Sequence, residues 1–313
     1  MESSARTSVA RLPATPGVYR FRDARGRVLY LGRATHLRQR VGSYWTDLRD
    51  RRHLTRMVPQ VARIEAVACD SVHEAAWLER NLLERAKPRW NRTRGVESPV
   101  CIVLEHRTGA PRLRVAHWPV VETPGRPAPA VETFGPYLGG TRARLAVSAL
   151  DRVLPLRYTA DRLGGCDRDL ARVRGVDATD RDRLLAAVTA VLRRQPAEVE
   201  TVREQLAQHR DVASTNLAFE LADRIQQEIE ALDWVVAEQK VTQLTRPPED
   251  CAAYGWADGL LVCFRIRGGR LCGWEQRASS RQHARPQLDR TPPAWTPFAT
   301  RAAELGSRLA RQG

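Results

Sequence analysis

Residues 16–32 read PGVYRFRDARGRVLYLG, two apolar runs on either side of a polar turn at Asp23–Arg27 that contains Gly26. That pattern predicts a β-hairpin, with Tyr19 on one strand and Tyr30 on the next. Downstream, residues 35–44 carry Leu37 and Val41 four apart behind Thr35, which predicts a short helix capped by Thr35 with Arg33, Arg38 and Arg40 clustered around it. Residues 62–69, ARIEAVAC, read as a third strand. Residues 71–86, SVHEAAWLERNLLERA, read as an amphipathic helix with Ser71 as cap and Glu74 three residues on. Pro88-Arg89-Trp90-Asn91 then stops the pattern. The order strand, strand, helix, strand, helix makes residues 1–95 a small α+β unit with a mixed sheet flanked by helices.

Further out, residues 100–104 and 112–118 are strand candidates, and PVVETPGRPAPAVE at 119–132 has the composition of an exposed loop. Residues 141–154 and 180–194 read as helices. Over 198–240, Leu221, Ile225, Ile229, Leu232 and Val236 keep three- and four-residue spacing, which predicts a helical hairpin or one long helix. Residues 260–277 alternate Leu260, Val262, Phe264 and Ile266, turn at Gly268-Gly269 and return, a hairpin signature. A Pro-rich stretch and a short helix follow residue 279. The expected segments are 1–95, a mostly helical 96–197, a helical hairpin at 198–245, and a β-hairpin with a Pro-rich tail at 246–313.

The 313 residues are 42% hydrophobic and 28% charged, which excludes a disordered chain and allows two or three packed cores. Apolar runs such as Leu260–Phe264 are far too short to span a bilayer, and the start MESSARTSVARLP lacks the apolar core of a signal peptide. A cytoplasmic location without a membrane partner is expected. Net charge is +15, and every basic residue except Lys87 and Lys240 is arginine. Residues 1–95 hold 20 basic against 9 acidic residues, so the positive field concentrates there and DNA becomes the leading partner. The six cysteines include no CxxC pair, which argues against a zinc knuckle or an iron–sulfur cradle; Cys251, Cys263 and Cys272 read as scattered thiols.

Gly17-Val18-Tyr19 and Tyr30-Leu31-Gly32, with LPATPGVYRF, YLGRATHLRQRVGSYW and LERNLLERAKPRWN in the same order, resemble the GIY-YIG nuclease superfamily over residues 12–92, and within it the UvrC and Cho excision-repair branch. The resemblance implies that Tyr19 and Tyr30 line an active site, with Tyr30 the base or water-orienting group. It implies that Arg40 binds the scissile phosphate, Tyr44 contacts phosphate, Asn91 buttresses the site, and Glu79 holds one divalent metal, Mg²⁺ or Mn²⁺. These residue types suit phosphodiester hydrolysis, which needs an activated water, a cation at the leaving oxygen and fixed positive charge around the phosphate. Arg33 stands where UvrC commonly has lysine, which keeps the charge but changes its geometry, and arginine hardly deprotonates. Arg33, Arg38, Arg52 and His36 are expected on the DNA-binding surface. Other readings stand beside these: strand tyrosines usually pack, Trp45 and Trp90 suit core packing as well as base stacking, and Glu74 suits a helix cap. His53 and His73, with His36, are expected at the surface. For Glu79 an ion pair along its own helix is disfavoured, because Ala75, Ala76, Leu82 and Leu83 lie one turn away.

Beyond residue 92 the resemblance thins. Phe134-Gly135-Pro136-Tyr137 and TRARLAVSALDRVLPLR look like the segment that follows the UvrC nuclease domain. Where many UvrC chains place four cysteines, this one has RYTADRLGGCDRDLARV with Cys166 alone, so no iron–sulfur cluster is expected. Residues 213–240 resemble the UVR hairpin, which implies a UvrB or UvrB-like partner with Phe219 as an apolar anchor. Only 36 residues follow position 277, so a second nuclease domain is not expected and one incision is. The function implied is a metal-dependent DNA endonuclease making a single-strand incision on the 3′ side of damage in nucleotide excision repair. The alternatives are a non-catalytic DNA-binding repair adaptor that recruits a UvrB-like partner, and a nuclease on branched or foreign DNA outside excision repair.

Overall fold

A computed structural model describes residues 7–46, 48–91, 97–106, 109, 111–119, 130–237 and 250–310, leaving aside the side chains of residues 50, 51 and 130. The fold is α+β. The chain divides into two compact units, one in which residues up to 97 join residues 250–310, and one formed by residues 98–237.

The first unit opens with β1 (Gly17–Arg22), β2 (Val28–Ala34), α1 (Leu37–Thr46), β3 (Arg63–Ala68) and α2 (Val72–Arg85). The predicted hairpin forms around Asp23, whose carboxylate accepts the backbone N–H groups of Arg25 and Arg27, and Gly26 takes φ +76° in the turn. Helix α1 starts two residues later than expected. For α2, Ser71 Oγ accepts the Glu74 N–H at 3.2 Å, while the Glu74 carboxylate reaches back to the N–H of Asp70, so Glu74 is a cap. The strands pair in the order β2-β1-β3, all antiparallel, with Tyr19 opposite Gly32 and Ala66, and Arg20 opposite Leu31 and Glu65. Because side chains alternate along a strand, Tyr19 and Phe21 face one side and Val18 and Arg20 the other.

Both sides are buried. One packs Tyr19, Phe21, Leu37, Val41, Tyr44, Met57 and Ile64 into a single core. The other packs Val18, Leu31, Val67, Ala75 and Leu78 against residues from the far end of the chain. There, β7 (Cys251–Ala257), β8 (Leu260–Arg267) and β9 (Arg270–Ala278) form an antiparallel sheet in that order, followed by α8 (Arg281–Leu288) and α9 (Thr296–Ala310). The Gly268-Gly269 turn is present, both residues at positive φ, with Arg267 opposite Arg270. Phe264, Trp274, Phe298 and Ala302 close over the first sheet's second face, each burial of a large side chain contributing about 1.5–3 kcal/mol. Residues 250–310 thus contain the expected β8-β9 hairpin, which β7 widens to a three-stranded sheet, followed by two helices, and they share a core with the N-terminal strands. Their integration comes from long-range packing, which leaves no local mark in sequence.

The second unit contains β4 (Val100–His106), β5 (Arg112–His117) and β6 (Ala130–Tyr137), ordered β5-β4-β6, then α3 (Gly140–Val153), α4 (Gly165–Val173), α5 (Arg181–Leu192), α6 (Pro196–Thr215) and α7 (Phe219–Val236). Most of the expected loop at 119–132 lies outside the described residues, and its end belongs to β6 instead. Helix α4 falls in the segment that shows no periodic pattern. The 198–240 region resolves as a hairpin whose turn places Leu217 at φ +58°, with residues 238–240 outside the described set. Ile225, Ile229 and Leu232 enter the core. Leu221 does not: Ala218 and Ala222 occupy the packed face at that level, and Leu221 lies off it, 45% exposed.

Candidate active site

The site is built along β2, an edge strand of the first sheet, where unpaired backbone groups would otherwise face outward. Asn91 closes part of that edge as a strand would: its side-chain oxygen accepts the Leu31 N–H at 3.0 Å and its amide donates to the Leu31 carbonyl at 2.7 Å. The Trp90 N–H adds a bond to the Leu29 carbonyl at 3.2 Å. One step along, the Arg33 N–H donates to Glu79 Oε1 at 3.1 Å. Glu79 and Asn91 thus hold the ends of the Tyr30–Arg33 segment.

Under that edge lies a tyrosine cluster. Tyr19 and Tyr44 are fully buried and their hydroxyls are 2.7 Å apart. Tyr30 is half-buried, its ring 5.8 Å from that of Tyr44 and 6.2 Å from that of Tyr19, and its hydroxyl bonds with that of Tyr44. Arg40, from α1, lies exposed at the rim, where its charge acts on the Tyr19, Tyr30 and Tyr44 hydroxyls. Burial lifts all three phenols well above the ordinary tyrosine value, their mutual proximity adds to the shift, and Arg40 pulls the other way. The three are neutral donors and acceptors. Gly32 makes the cluster possible, since a Cβ there would sit 2.7 Å from the Tyr19 hydroxyl oxygen, and Gly17 allows the close approach of β1 to β3, where a Cβ would sit 2.2 Å from the Val67 carbonyl oxygen.

Glu79 stands beside this cluster on α2, largely buried. Burial raises its carboxyl above the usual glutamate range and Glu97 adds to that; the Arg33 guanidinium, the Arg33 N–H and Arg40 oppose it. Arg33 Nε lies 3.3 Å from Glu79 Oε2, and its terminal nitrogen 3.9 Å from Glu97 Oε2. Glu79 does make an ion pair, then, but with a strand residue rather than along its helix. The donor chemistry fits Mg²⁺ or Mn²⁺, hard cations that accept one carboxylate and keep waters, and a guanidinium already stands at the carboxylate as a cation of matching sign.

Of the expected DNA-binding residues, Arg33 is drawn into this carboxylate pair. Arg38 is exposed with its Nε donating to the Leu12 carbonyl at 2.7 Å, His36 is exposed with Nδ1 3.1 Å from the Ala14 carbonyl oxygen, and Arg52 is exposed within a 3₁₀ turn, Arg49–Leu54. His73 is not at the surface: it is 2% exposed, on the buried side of α2. Trp45 and Trp90 pack against the tyrosine-side core, Trp45 edge-on to Phe21 at 5.7 Å. Glu97 was not foreseen, since it lies beyond the Pro88 stop with no pattern linking it to Glu79. Phe219 sits in the second unit at the start of α7, 63% exposed, near Leu217 at 73% in the same turn. The described cysteines are all free thiols, Cys166 exposed, and no group of three metal-ligating side chains occurs among the described residues. No described helix is long and apolar enough to cross a membrane.

Residues 15–92 match the UvrC-like GIY-YIG domain family. Over 283 residues, 85% of the chain, it is 29% identical to the UvrABC system protein C of Desulforudis audaxviator, and over 289 residues, 87% of the chain, 31% identical to that of Mycobacterium sp. strain KMS. The chain spans 44% and 41% of the length of those two relatives. A solved structure, the GIY-YIG N-terminal endonuclease domain of UvrC from Thermotoga maritima bound to its catalytic magnesium, is 28% identical, covers 29% of this chain and 99% of its own, and superposes with a TM-score of 0.27.

Proposed function

We propose, from the premise that residues 15–92 are a UvrC-like GIY-YIG domain, that the chain is a metal-dependent DNA endonuclease making a single-strand incision on the 3′ side of damage in nucleotide excision repair. The observation that carries this is the convergence of Tyr30, Arg40 and Glu79 around one strand edge, backed by the Tyr19–Tyr44 hydroxyl pair. In this reading Glu79 would hold a divalent cation, Mg²⁺ or Mn²⁺, which would supply Lewis-acid charge at the phosphate. The remaining work falls to the chain's own side chains. Arg40 is the fixed cation that binds the phosphate. Tyr30, half-buried at the rim, orients the attacking water through its hydroxyl, while Tyr44 and Tyr19 form a neutral hydrogen-bonded relay behind it and fix its rotamer. A phenol lifted by burial is a poor free base, which favours water orientation over proton abstraction in the resting site. Asn91 holds the backbone that carries Tyr30.

Arg38, Arg52 and His36 extend the basic surface for DNA. The exposed apolar turn at Leu217 and Phe219 has the character of a protein-docking tip and supports a UvrB-like partner. A cytoplasmic location follows from this role. Nicking of supercoiled, ultraviolet-damaged plasmid in Mg²⁺ or Mn²⁺, with and without UvrA and UvrB, tests the proposal. The wild type is expected to nick and Glu79→Gln to bind DNA without nicking. Equal activity in Glu79→Gln removes Glu79 from the site; DNA binding without nicking under any condition identifies the adaptor; nicking indifferent to the loaders and to damage identifies a nuclease outside repair.

A further inference from the structure

The two oxygens of Glu79 are not equivalent. Oε1 is tied to the Arg33 backbone N–H at 3.1 Å, a bond that a rigid strand edge maintains whatever the side chain does. Oε2 faces the Arg33 guanidinium, with Nε at 3.3 Å. The same guanidinium has a second carboxylate in reach, Glu97 Oε2 at 3.9 Å, too long for a tight bond and open to tightening. Arg33 and Glu97 are 43% and 45% exposed, against 20% for Glu79, so the long side chains have water to move through and the carboxylate does not.

An arginine remains charged at any working pH, and a guanidinium and a metal ion cannot share one carboxylate oxygen at contact distance. A hard cation bonding that oxygen at about 2.0–2.1 Å takes the position facing the guanidinium. We propose that Arg33 is the resident counter-cation of Glu79, exchanged against the incoming divalent ion at Oε2 and received by Glu97, so that Arg33 and Glu97 together set the affinity of the site for metal. This rests on the reading of Glu79 as the metal-holding carboxylate. The pair acts as positioning residues: before metal arrives, Arg33 keeps a desolvated carboxylate compensated, and afterwards Glu97 draws the displaced charge away from the metal.

Mn²⁺ affinity of the full chain, followed by electron paramagnetic resonance, separates this from simple charge–charge influence. Removing a partly exposed competing cation corresponds to an affinity gain of about fivefold for Arg33→Met. Glu97→Gln is expected to weaken Mn²⁺ binding several-fold in the wild-type background, because Arg33 then has no other partner, and to matter far less when Arg33→Met is already present. An equal effect of Glu97→Gln in both backgrounds, or no gain from Arg33→Met, overturns the exchange. A second readout needs no variant at Arg33: the ¹⁵Nε–H resonance of Arg33 should shift as Mg²⁺ is titrated into wild type and stay fixed in Glu79→Gln. A resonance that ignores saturating Mg²⁺ in wild type also overturns it. If Glu79→Gln binds Mn²⁺ as wild type does, the metal assignment of Glu79 fails first and the exchange falls with it.

Discussion

On one face of the β2-β1-β3 sheet the buried polar groups are tyrosine hydroxyls, neutral and linked to one another; on the other they are an ion pair, Arg20 with Glu65, sealed beneath Trp274. Arg20 and Glu65 are 7% and 5% exposed. The Arg20 guanidinium stacks 4.0 Å from the Trp274 ring, and Arg22 also bonds Glu65, at 2.9 Å. A buried ion pair contributes little relative to a well-packed apolar alternative, but breaking it leaves a charge stranded. Neutral hydroxyls carry no such liability and can lie one residue from an open strand edge, where a substrate reaches them. The difference teaches that the sheet separates its tasks: charge compensation on the face beneath Trp274, and neutral hydroxyls on the opposite, equally buried face, where only Tyr30 and Arg40 at the β2 edge reach toward solvent and the proposed chemistry would lie.

The largest effect that sharpens this contrast is on stability. Glu65→Gln strands Arg20 and should destabilise the first unit by about 3–5 kcal/mol, read by denaturant or thermal melting. The same pair gives a pH dependence. Burial alone would raise the Glu65 carboxyl, but Arg20 and Arg22 outweigh it and hold it below the ordinary glutamate value. A lowered folded value means stability that is present above the unfolded glutamate range and lost as pH falls through the folded value, a loss that Glu65→Gln should remove from the melting profile.

Next comes Gly32→Ala, which places a Cβ 2.7 Å from the Tyr19 hydroxyl oxygen. Displacing that ring should cost about 1–3 kcal/mol, and nicking should fall further than the stability loss explains. A variant that melts lower but cuts at the wild-type rate per folded molecule would break the proposed link between the cluster's geometry and its chemistry.

Smaller again is Asn91→Ala. It removes both side-chain bonds to Leu31 at an edge that water can partly resatisfy, for an expected loss of about 1–2 kcal/mol. Amide exchange at Leu31 should accelerate while exchange at Val67, paired with Val18 on the opposite edge strand β3, does not. Uniform acceleration would mean that Asn91 supports the whole unit rather than the edge.

Sequence carried the tyrosine face well and the ion-pair face poorly, for a physical reason. The hairpin, the Ser71–Glu74 cap and the Gly268-Gly269 turn are local, set by residues within a few positions of each other. Tyr19, Tyr30, Tyr44, Arg40, Glu79 and Asn91 are brought together as the motif order implies. Arg20 and Glu65 lie 45 positions apart, and their cover comes from Trp274, so nothing nearby in sequence marks them as partners. The same holds for residues 250–310, whose helices and third strand follow from a shared core, and for Arg33, which reads as a surface cation until Glu79 and Glu97 are seen beside it. Absence of a basic neighbour along α2 spoke only for the helix and not for the strand edge facing it.

The most direct test of the division between the two faces is Mg²⁺-dependent plasmid nicking by Tyr30→Phe, measured beside its melting temperature. The account predicts a melting temperature within a few degrees of wild type, since a half-buried hydroxyl contributes about 1 kcal/mol, together with a loss of cutting of at least about a hundredfold. Cutting at the wild-type rate by a normally folded Tyr30→Phe would contradict it, because the tyrosine face would then be packing and the chemistry would have to lie elsewhere.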